Sequence, residues 1–257
     1  MSFIYSGQGE LFGERKAVGF GDADYFVKVI DRNVANLMIQ RNHYSRKFYS
    51  ASYIHLGVFM DGEIVGVLQF GYAMNPASQA SVVAGTEIDE YLELNRMWLD
   101  DIAPRNSESR ALSYAIKTIR AAYPKIKWIQ SFADERCRLG GVVYQACSFR
   151  YYGEHTSIFW GLDGEVYHNS LMTRDPKLSK SAAFLQENKD RATSSELRQF
   201  RYLFFMKPRF SRQCLLTEQP YPKIAVRPED EGMPMPASEV QPLGTAPSFA
   251  PASSRAA

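Results

Sequence analysis

Several residues have the types and settings that chemistry needs. Asp134 follows the apolar run Ile126 to Phe132 (IKWIQSF), which reads as a buried strand. A carboxylate at such a strand end can orient an amine, take a proton or bind a metal; its plainer role is to cap the loop before Gly140-Gly141. His43 and Tyr44 stand where a first helix runs out, as a pair of nitrogen and oxygen donors or simply as a helix-end histidine and a core tyrosine. Arg96 interrupts LELNRMWL, a strand in which alternation puts Leu92, Leu94, Arg96 and Trp98 on one side. A buried guanidinium is costly unless it meets an anion or a carboxylate, and Glu93 is the nearest one in sequence. Arg105, Asn106, Ser107, Glu108, Ser109 and Arg110 then open a helix with Ala111, Leu112, Ala115, Ile116 and Ile119 on its apolar face. Asn106 or Ser107 suits the N-cap, and free N–H groups beside two guanidinium groups form an anion site. Otherwise these residues are a capped helix start.

The elements that must hold these groups follow from local patterns. Tyr25 to Ile30 reads as a strand, and Asp31 caps a helix with Val34, Leu37 and Met38 on one face. Tyr53 to Met60 and Glu63 to Gly71 form a hairpin around Asp61-Gly62. The strand–loop–helix unit from Leu92 to Arg120 comes next, then the Ile126 strand and a short helix from Val142 to Cys147. A second hairpin turns at Asp163-Gly164, Lys180 to Arg198 reads as helix, and Phe200 to Met206 as strand. This order predicts an α+β fold with a mixed central sheet flanked by helices. Residues 1–22 read as an N-terminal arm, 23–215 as the catalytic domain, and 216–257, rich in Pro, Ala and Ser, as a disordered tail.

Composition narrows the classes. The 257 residues are 45% hydrophobic and hold no apolar run long enough to span a membrane. Three cysteines without a Cys-x-x-Cys pair suit a reducing cytoplasm. The net charge of +2 is unremarkable, but residues 174–212 carry ten Lys or Arg against four acids, interleaved with Tyr202, Phe204, Phe205 and Phe210. That is one footprint of nucleic-acid contact, or else a solvated helix followed by a buried strand.

Particular motifs carry a resemblance. The order of elements, and Tyr144-Gln145-Ala146-Cys147-Ser148-Phe149, resemble the GNAT-type acyltransferases. Asn42-His43-Tyr44-Ser45, GVLQF (66–70), LELNRM (92–97), PRNSESRAL (104–112) and WIQSFAD (128–134) resemble the Mom family of Mu-like bacteriophages over roughly residues 25–215. That resemblance implies an enzyme that adds a carbamoylmethyl (acetamido) group to the exocyclic amine of adenine in phage DNA, shielding it from host restriction. It implies His43, Tyr44 and Asp134 as iron ligands, and Tyr44, Arg96 and Asp134 as catalytic groups; the GNAT likeness adds Tyr144, standing where such enzymes keep a tyrosine that protonates a departing thiolate, or else an aromatic packed on the sheet. Arg105, Asn106, Ser107, Ser109 and Arg110 would bind an acyl-type donor such as acetyl-CoA. They contain none of the glycines of the usual GNAT pyrophosphate loop, and attack on an acetyl thioester would leave an amide rather than a CH2 on the adenine nitrogen. The expected partner is double-stranded DNA with a flipped adenine, with Lys207, Arg209 and Arg212 expected to contact its backbone. Tyr49, Tyr53, Tyr72, Tyr151 and Tyr152 are candidates to stack on the base. The resemblance further implies a host-cytoplasmic protein that needs no membrane and is compatible with a homodimer. The rival readings are a GNAT-type N-acetyltransferase for a protein or small-molecule amine, and a DNA-binding protein that masks sites without catalysis. A methyltransferase is disfavoured, since neither a Gly-rich methyl-donor loop nor an Asp-Pro-Pro-Tyr-like tetrapeptide is present.

Overall fold

The computed structural model describes residues 1–6, 16–137 and 140–223. Among these described residues, ten strands form one sheet: β1 (Ser2–Tyr5), β2 (Ala17–Gly21), β3 (Tyr25–Val29), β4 (Ser52–Met60), β5 (Glu63–Gly71), β6 (Tyr91–Leu99), β7 (Trp128–Asp134), β8 (Arg150–Leu162), β9 (Glu165–His168) and β10 (Thr193–Phe205). Their spatial order is β1-β2-β3-β4-β5-β6-β7-β10-β8-β9. Five α-helices accompany them: α1 (Arg32–Asn42), α2 (Ser107–Ala122), α3 (Val142–Ala146), α4 (Ser170–Thr173) and α5 (Lys180–Glu187). The expected α+β class and mixed sheet are what the chain adopts. No helix among the described residues is long and apolar enough to cross a membrane.

One face of the sheet carries α2. Its predicted stripe, Ala111, Leu112, Ala115, Ile116 and Ile119, is buried against residues such as Leu56, Leu68, Leu92 and Ile129. The other face carries α1, whose Ala35 and Ile39 pack on Val67 and Trp98. The expected α1 face of Val34, Leu37 and Met38 is corrected: Val34 and Leu37 stay exposed, and only Met38 reaches this cluster. Asp31 caps α1 as expected, accepting from the Asn33 N–H at 2.7 Å.

The boundaries also shift. The N-terminal arm contributes β1 and β2 to the sheet edge, and β2 is mostly buried. β10 starts at Thr193, inside the segment expected to be helical, because residues 193–200 pair with β8. Residues 216–223, expected to belong to a disordered tail, are instead bonded to the fold. Leu215 N–H bonds to Val82 O, Gln219 N–H to Tyr151 O, and the Tyr221 hydroxyl to Phe149 O. The remainder of that tail, from 224, lies outside the described residues.

Two irregularities shape the centre. β6 and β7 are parallel neighbours for three pairs only, Tyr91 with Trp128, Leu92 with Ile129 and Glu93 with Gln130. The stacked rings of Tyr91 and Trp128, 5.0 Å apart, pin this start. The last link is the Ser131 hydroxyl on Leu94 O at 3.4 Å; beyond it the strands part. The second is a β-bulge. Gln69 pairs with Arg96 and Phe70 with Leu94, leaving Asn95 as an extra residue. The predicted grouping of Leu92, Leu94, Arg96 and Trp98 on one side therefore fails. Leu92 and Leu94 pack toward α2, as do Met97 and Leu99, whereas Trp98 packs toward α1.

Candidate active site

The parting of β6 and β7, with the loop after α1 and the β8–β9 hairpin, encloses a cavity of about 860 Å³. On β6 the bulge brings Glu93, Asn95 and Arg96 to its wall together. Alternation along β7 gives Gln130, Phe132 and Asp134, and along β10 Gln199 and Arg201. Tyr44, Arg136, His155, Phe159 and His168 add to the polar and aromatic lining, with Arg46, Lys47 and Glu165 among its further charged groups.

Asp134 is 5% exposed. Its Oδ1 accepts from the Arg136 backbone N–H and Nε, each at 2.9 Å, and its Oδ2 from Arg136 Nη2 at 2.5 Å and Gln199 Nε2 at 3.0 Å. Burial pushes its pKa up, but the Arg136 hydrogen bonds and charge, helped by Gln199, hold it below the usual carboxylate range. Glu93 goes the other way. Burial raises its pKa, although Gln130 donates to Oε2 at 2.7 Å and Asn95 to Oε1 at 3.1 Å. Asn95 is itself fixed by the Ser52 hydroxyl at 2.8 Å and by its bond to Tyr72 O at 3.1 Å. The Gln130 amide thus turns its nitrogen to Glu93, and its Oε1 has no partner among the described residues.

Arg96 meets neither Glu93 in an ion pair nor an open anion site. Its Nε donates to Lys47 O at 2.8 Å and its Nη1 to Asn95 O at 2.6 Å, so it ties the loop after α1 to β6. His43 is buried, and its pKa is lowered to about 3 by desolvation and then by Arg96 and Arg136. The Ser45 N–H donates to His43 Nδ1 at 3.1 Å, so the neutral ring carries its proton on Nε2.

These details test the expected iron set. His43 offers no free nitrogen lone pair, since one is taken by Ser45 and the other nitrogen is protonated. The Tyr44 phenol stays protonated at neutral pH, as an ordinary phenol does, and its ring lies 5.2 Å from the Arg136 guanidinium. Both Asp134 oxygens face the Arg136 cation. The structure brings Tyr44 and Asp134 to one cavity with His43 against the Tyr44 ring, at 4.2 Å between centroids. As arranged, the three do not fit a metal ion.

The expected donor-binding residues stand apart from this cavity. Asn106 takes a left-handed conformation at the start of α2, with φ of 70° and no side-chain cap bond. The Ser109 hydroxyl donates to Asn106 O, and Ser107 O accepts from the buried Tyr25 hydroxyl at 2.8 Å. Arg110 pairs with Asp22 at 2.8 Å and lies over the Tyr25 ring, so its guanidinium is committed. Arg105 is exposed. Tyr144 packs on Phe149 and Tyr202 on the α2 side of the sheet, across from Asp134; burial raises its pKa to about 12.

Lys207 and Arg209 line a second, basic concavity of about 470 Å³ with Arg120, Lys125 and Lys127, and Arg212 follows on the surface. It lies at the far end of β7 and β10. Asp134 pairs with Gln199 and Trp128 with Phe205, which separates the two sites by about 20 Å at ~3.3 Å per residue. Of the candidate stacking rings, Tyr151 and Tyr152 are core residues, while Tyr53 and Tyr72 lie together at 5.0 Å. The residues missed in the sequence are Gln130, Phe132, Arg136, Gln199 and Arg201. The available hint was spacing: Gln130, Phe132 and Asp134, like Gln199 and Arg201, recur every second residue along their strands.

Comparison with known proteins adds identity. Among solved structures, the chain is similar to the ribosomal L7/L12 α-N-protein acetyltransferase RimL, at 13% identity and TM-score 0.40, over 72% of this chain and 95% of that one. It is also similar to the ribosomal-protein-S5-alanine acetyltransferase of Vibrio fischeri, at 12% identity and TM-score 0.45, over 75% and 98%. In sequence it is 48% identical over 213 residues to the methylcarbamoylase mom of Escherichia phage Mu, spanning 82% of this chain and 88% of that protein. The model of the Mom protein family matches residues 24–223, nearly all of the described chain, and the chain belongs to that family.

Proposed function

We propose that this protein is a transferase of phage DNA modification, adding a carbamoylmethyl group to the exocyclic amine of adenine and so protecting DNA from restriction. The observation that carries this reading is the 48% identity to a protein named methylcarbamoylase. The cavity supports it. Its volume of about 860 Å³ suits a flipped nucleotide, and its wall mixes carboxylates, amides and guanidinium groups beside Phe132 and Tyr44.

The amine of adenine is a weak nucleophile, because its lone pair is shared with the ring. The enzyme must orient it, accept a proton as the new N–C bond forms, and stabilise the group leaving the donor carbon. The two carboxylates divide this work. Asp134, kept ionised by Arg136, is a poor base but a good acceptor that orients one amine N–H. Glu93, whose pKa is raised, is the better-matched proton acceptor. The donor presents a carbamoylmethyl carbon bearing a leaving group, which departs with the electron pair of the broken bond; beyond the Leu94–Ser131 link the parted strands give the donor a route between the two faces. DNA running from the cavity to the Lys207–Arg209 concavity would cover about six base pairs at ~3.4 Å each.

The test is mass analysis of nucleosides from cells expressing the chain. A heavier deoxyadenosine is expected, absent with Asp134→Asn and with Glu93→Gln. Unmodified deoxyadenosine in cells rich in the soluble protein refutes the reading.

A further inference from the structure

We propose that Arg201 is the seat of an oxyanion site in the cavity wall, binding a phosphate group brought either by the DNA backbone or by the group donor. Five guanidinium groups cluster on or beside this wall; Arg46 is exposed on the loop after α1, and three others are committed. Arg96 is spent on two backbone carbonyls. Arg136 is paired with Asp134, and Arg198 with Glu135. Arg201 has no hydrogen-bond acceptor and no ion pair among the described residues, although it is half-buried and lines the cavity.

Its neighbours hold it in place without neutralising it. The guanidinium lies over the Phe132 ring at 5.3 Å, and Phe132 is braced edge-on by His155, also at 5.3 Å. Arg201 and Phe132 are direct cross-strand partners on β10 and β7, so backbone pairing fixes this stack. Glu93 is the carboxylate whose charge it feels most, but both Glu93 oxygens already accept from Gln130 and Asn95. Desolvation lowers the Arg201 pKa, as it does for a cation lacking a close counter-charge. A planar fork of donors, held against an aromatic ring and short of acceptors, matches the paired oxygens of a phosphate. This inference does not depend on adenine being the target. It concerns the charge that the ligand carries.

Three probes read it: sodium pyrophosphate, coenzyme A, and short duplex DNA of random sequence, each with the full-length wild type, Arg201→Gln and Arg201→Lys. Pyrophosphate should raise the melting temperature of the wild type and not that of Arg201→Gln. One of the other probes should bind Arg201→Gln about ten-fold more weakly, and which one identifies the source of the phosphate. If it is DNA, the slope of log affinity against log salt also falls by about one. Arg201→Lys should recover part of the binding, since it keeps the charge and loses the fork. The proposal is overturned if all three probes bind Arg201→Gln within about two-fold of the wild type. Should Arg201→Gln not fold, wild-type affinity of Arg201→Lys for every probe overturns it equally. Loss of nucleoside modification in the wild type would sink the adenine reading and leave this site standing.

Discussion

Replacing Asp134 with alanine separates what this carboxylate does for the fold from what it does for chemistry. The side chain is 5% exposed and accepts four hydrogen bonds, three from Arg136 and one from Gln199. Truncation leaves a guanidinium with no acceptor. Removing one partner of a fully buried pair costs about 3–5 kcal/mol. The Arg136 side chain is 30% exposed, so water can reach the orphaned cation, and a loss of about 2–3 kcal/mol is expected. For a domain of this size that lowers the melting temperature by about 4–12 °C. Removing the cation as well, in Asp134→Ala/Arg136→Met, should recover about half of the loss or more, since methionine keeps the packing on Phe159 and Tyr44. Urea unfolding of the wild type, both single variants and the double variant measures the coupling. If Asp134→Ala unfolds within about 0.5 kcal/mol of the wild type, the pair is not what fixes Asp134. The double variant should regain stability without regaining nucleoside modification.

Further outcomes follow from particular contacts. Gly141 has φ of 85°, and a Cβ there would fall against the Tyr202 ring; Gly141→Ala should cost about 2 kcal/mol or more, read by denaturant unfolding. Burial works against the Glu90 carboxylate, but the Glu87 N–H and the Lys127 ammonium at 2.6 Å hold its pKa below the ordinary value. A depressed carboxyl contributes stability that is complete above its unfolded pKa of about 4.3 and is lost as pH falls through the folded value. Glu90→Gln should therefore cost about 0.5–1 kcal/mol at neutral pH, with the difference vanishing in acid. Changing Lys207, Arg209 and Arg212 together to glutamine should lower the salt slope of DNA binding by about three, while adenine modification at low salt persists.

The sequence was most readable where one rule acted alone. The α2 stripe, the Asp31 cap and the Asp61-Gly62 turn follow from helical period, capping and left-handed turn chemistry. It was least readable where tertiary pairing decides. Residues 193–198 are polar and look helical, yet they pair with β8. Val34 and Leu37 fit an apolar stripe, yet α1 settles on the smaller Ala35 with Ile39. At the site, Asp134 and Tyr44 were found by type, but Arg136 only two residues on was not. Its capture of Asp134 depends on the turn after β7 rather than on any period. Tyr144 and Arg110 had the right chemistry in sequence, and the fold spends both on packing and pairing away from the cavity.

Asn95 is one residue more than the ladder needs. Without it, Leu94 would be followed directly by Arg96, and every later side chain of β6 would keep the face it has now. The sheet therefore has no use for the residue, while the Glu93 carboxylate does, since Asn95 supplies one of its two donors. A chain lacking Asn95 should still fold into the same ten strands, with the Ser52 hydroxyl and the Tyr72 carbonyl left facing each other across a gap. In β6, the length of the strand and the equipment of the site are separable properties, and the second was obtained by making the first irregular.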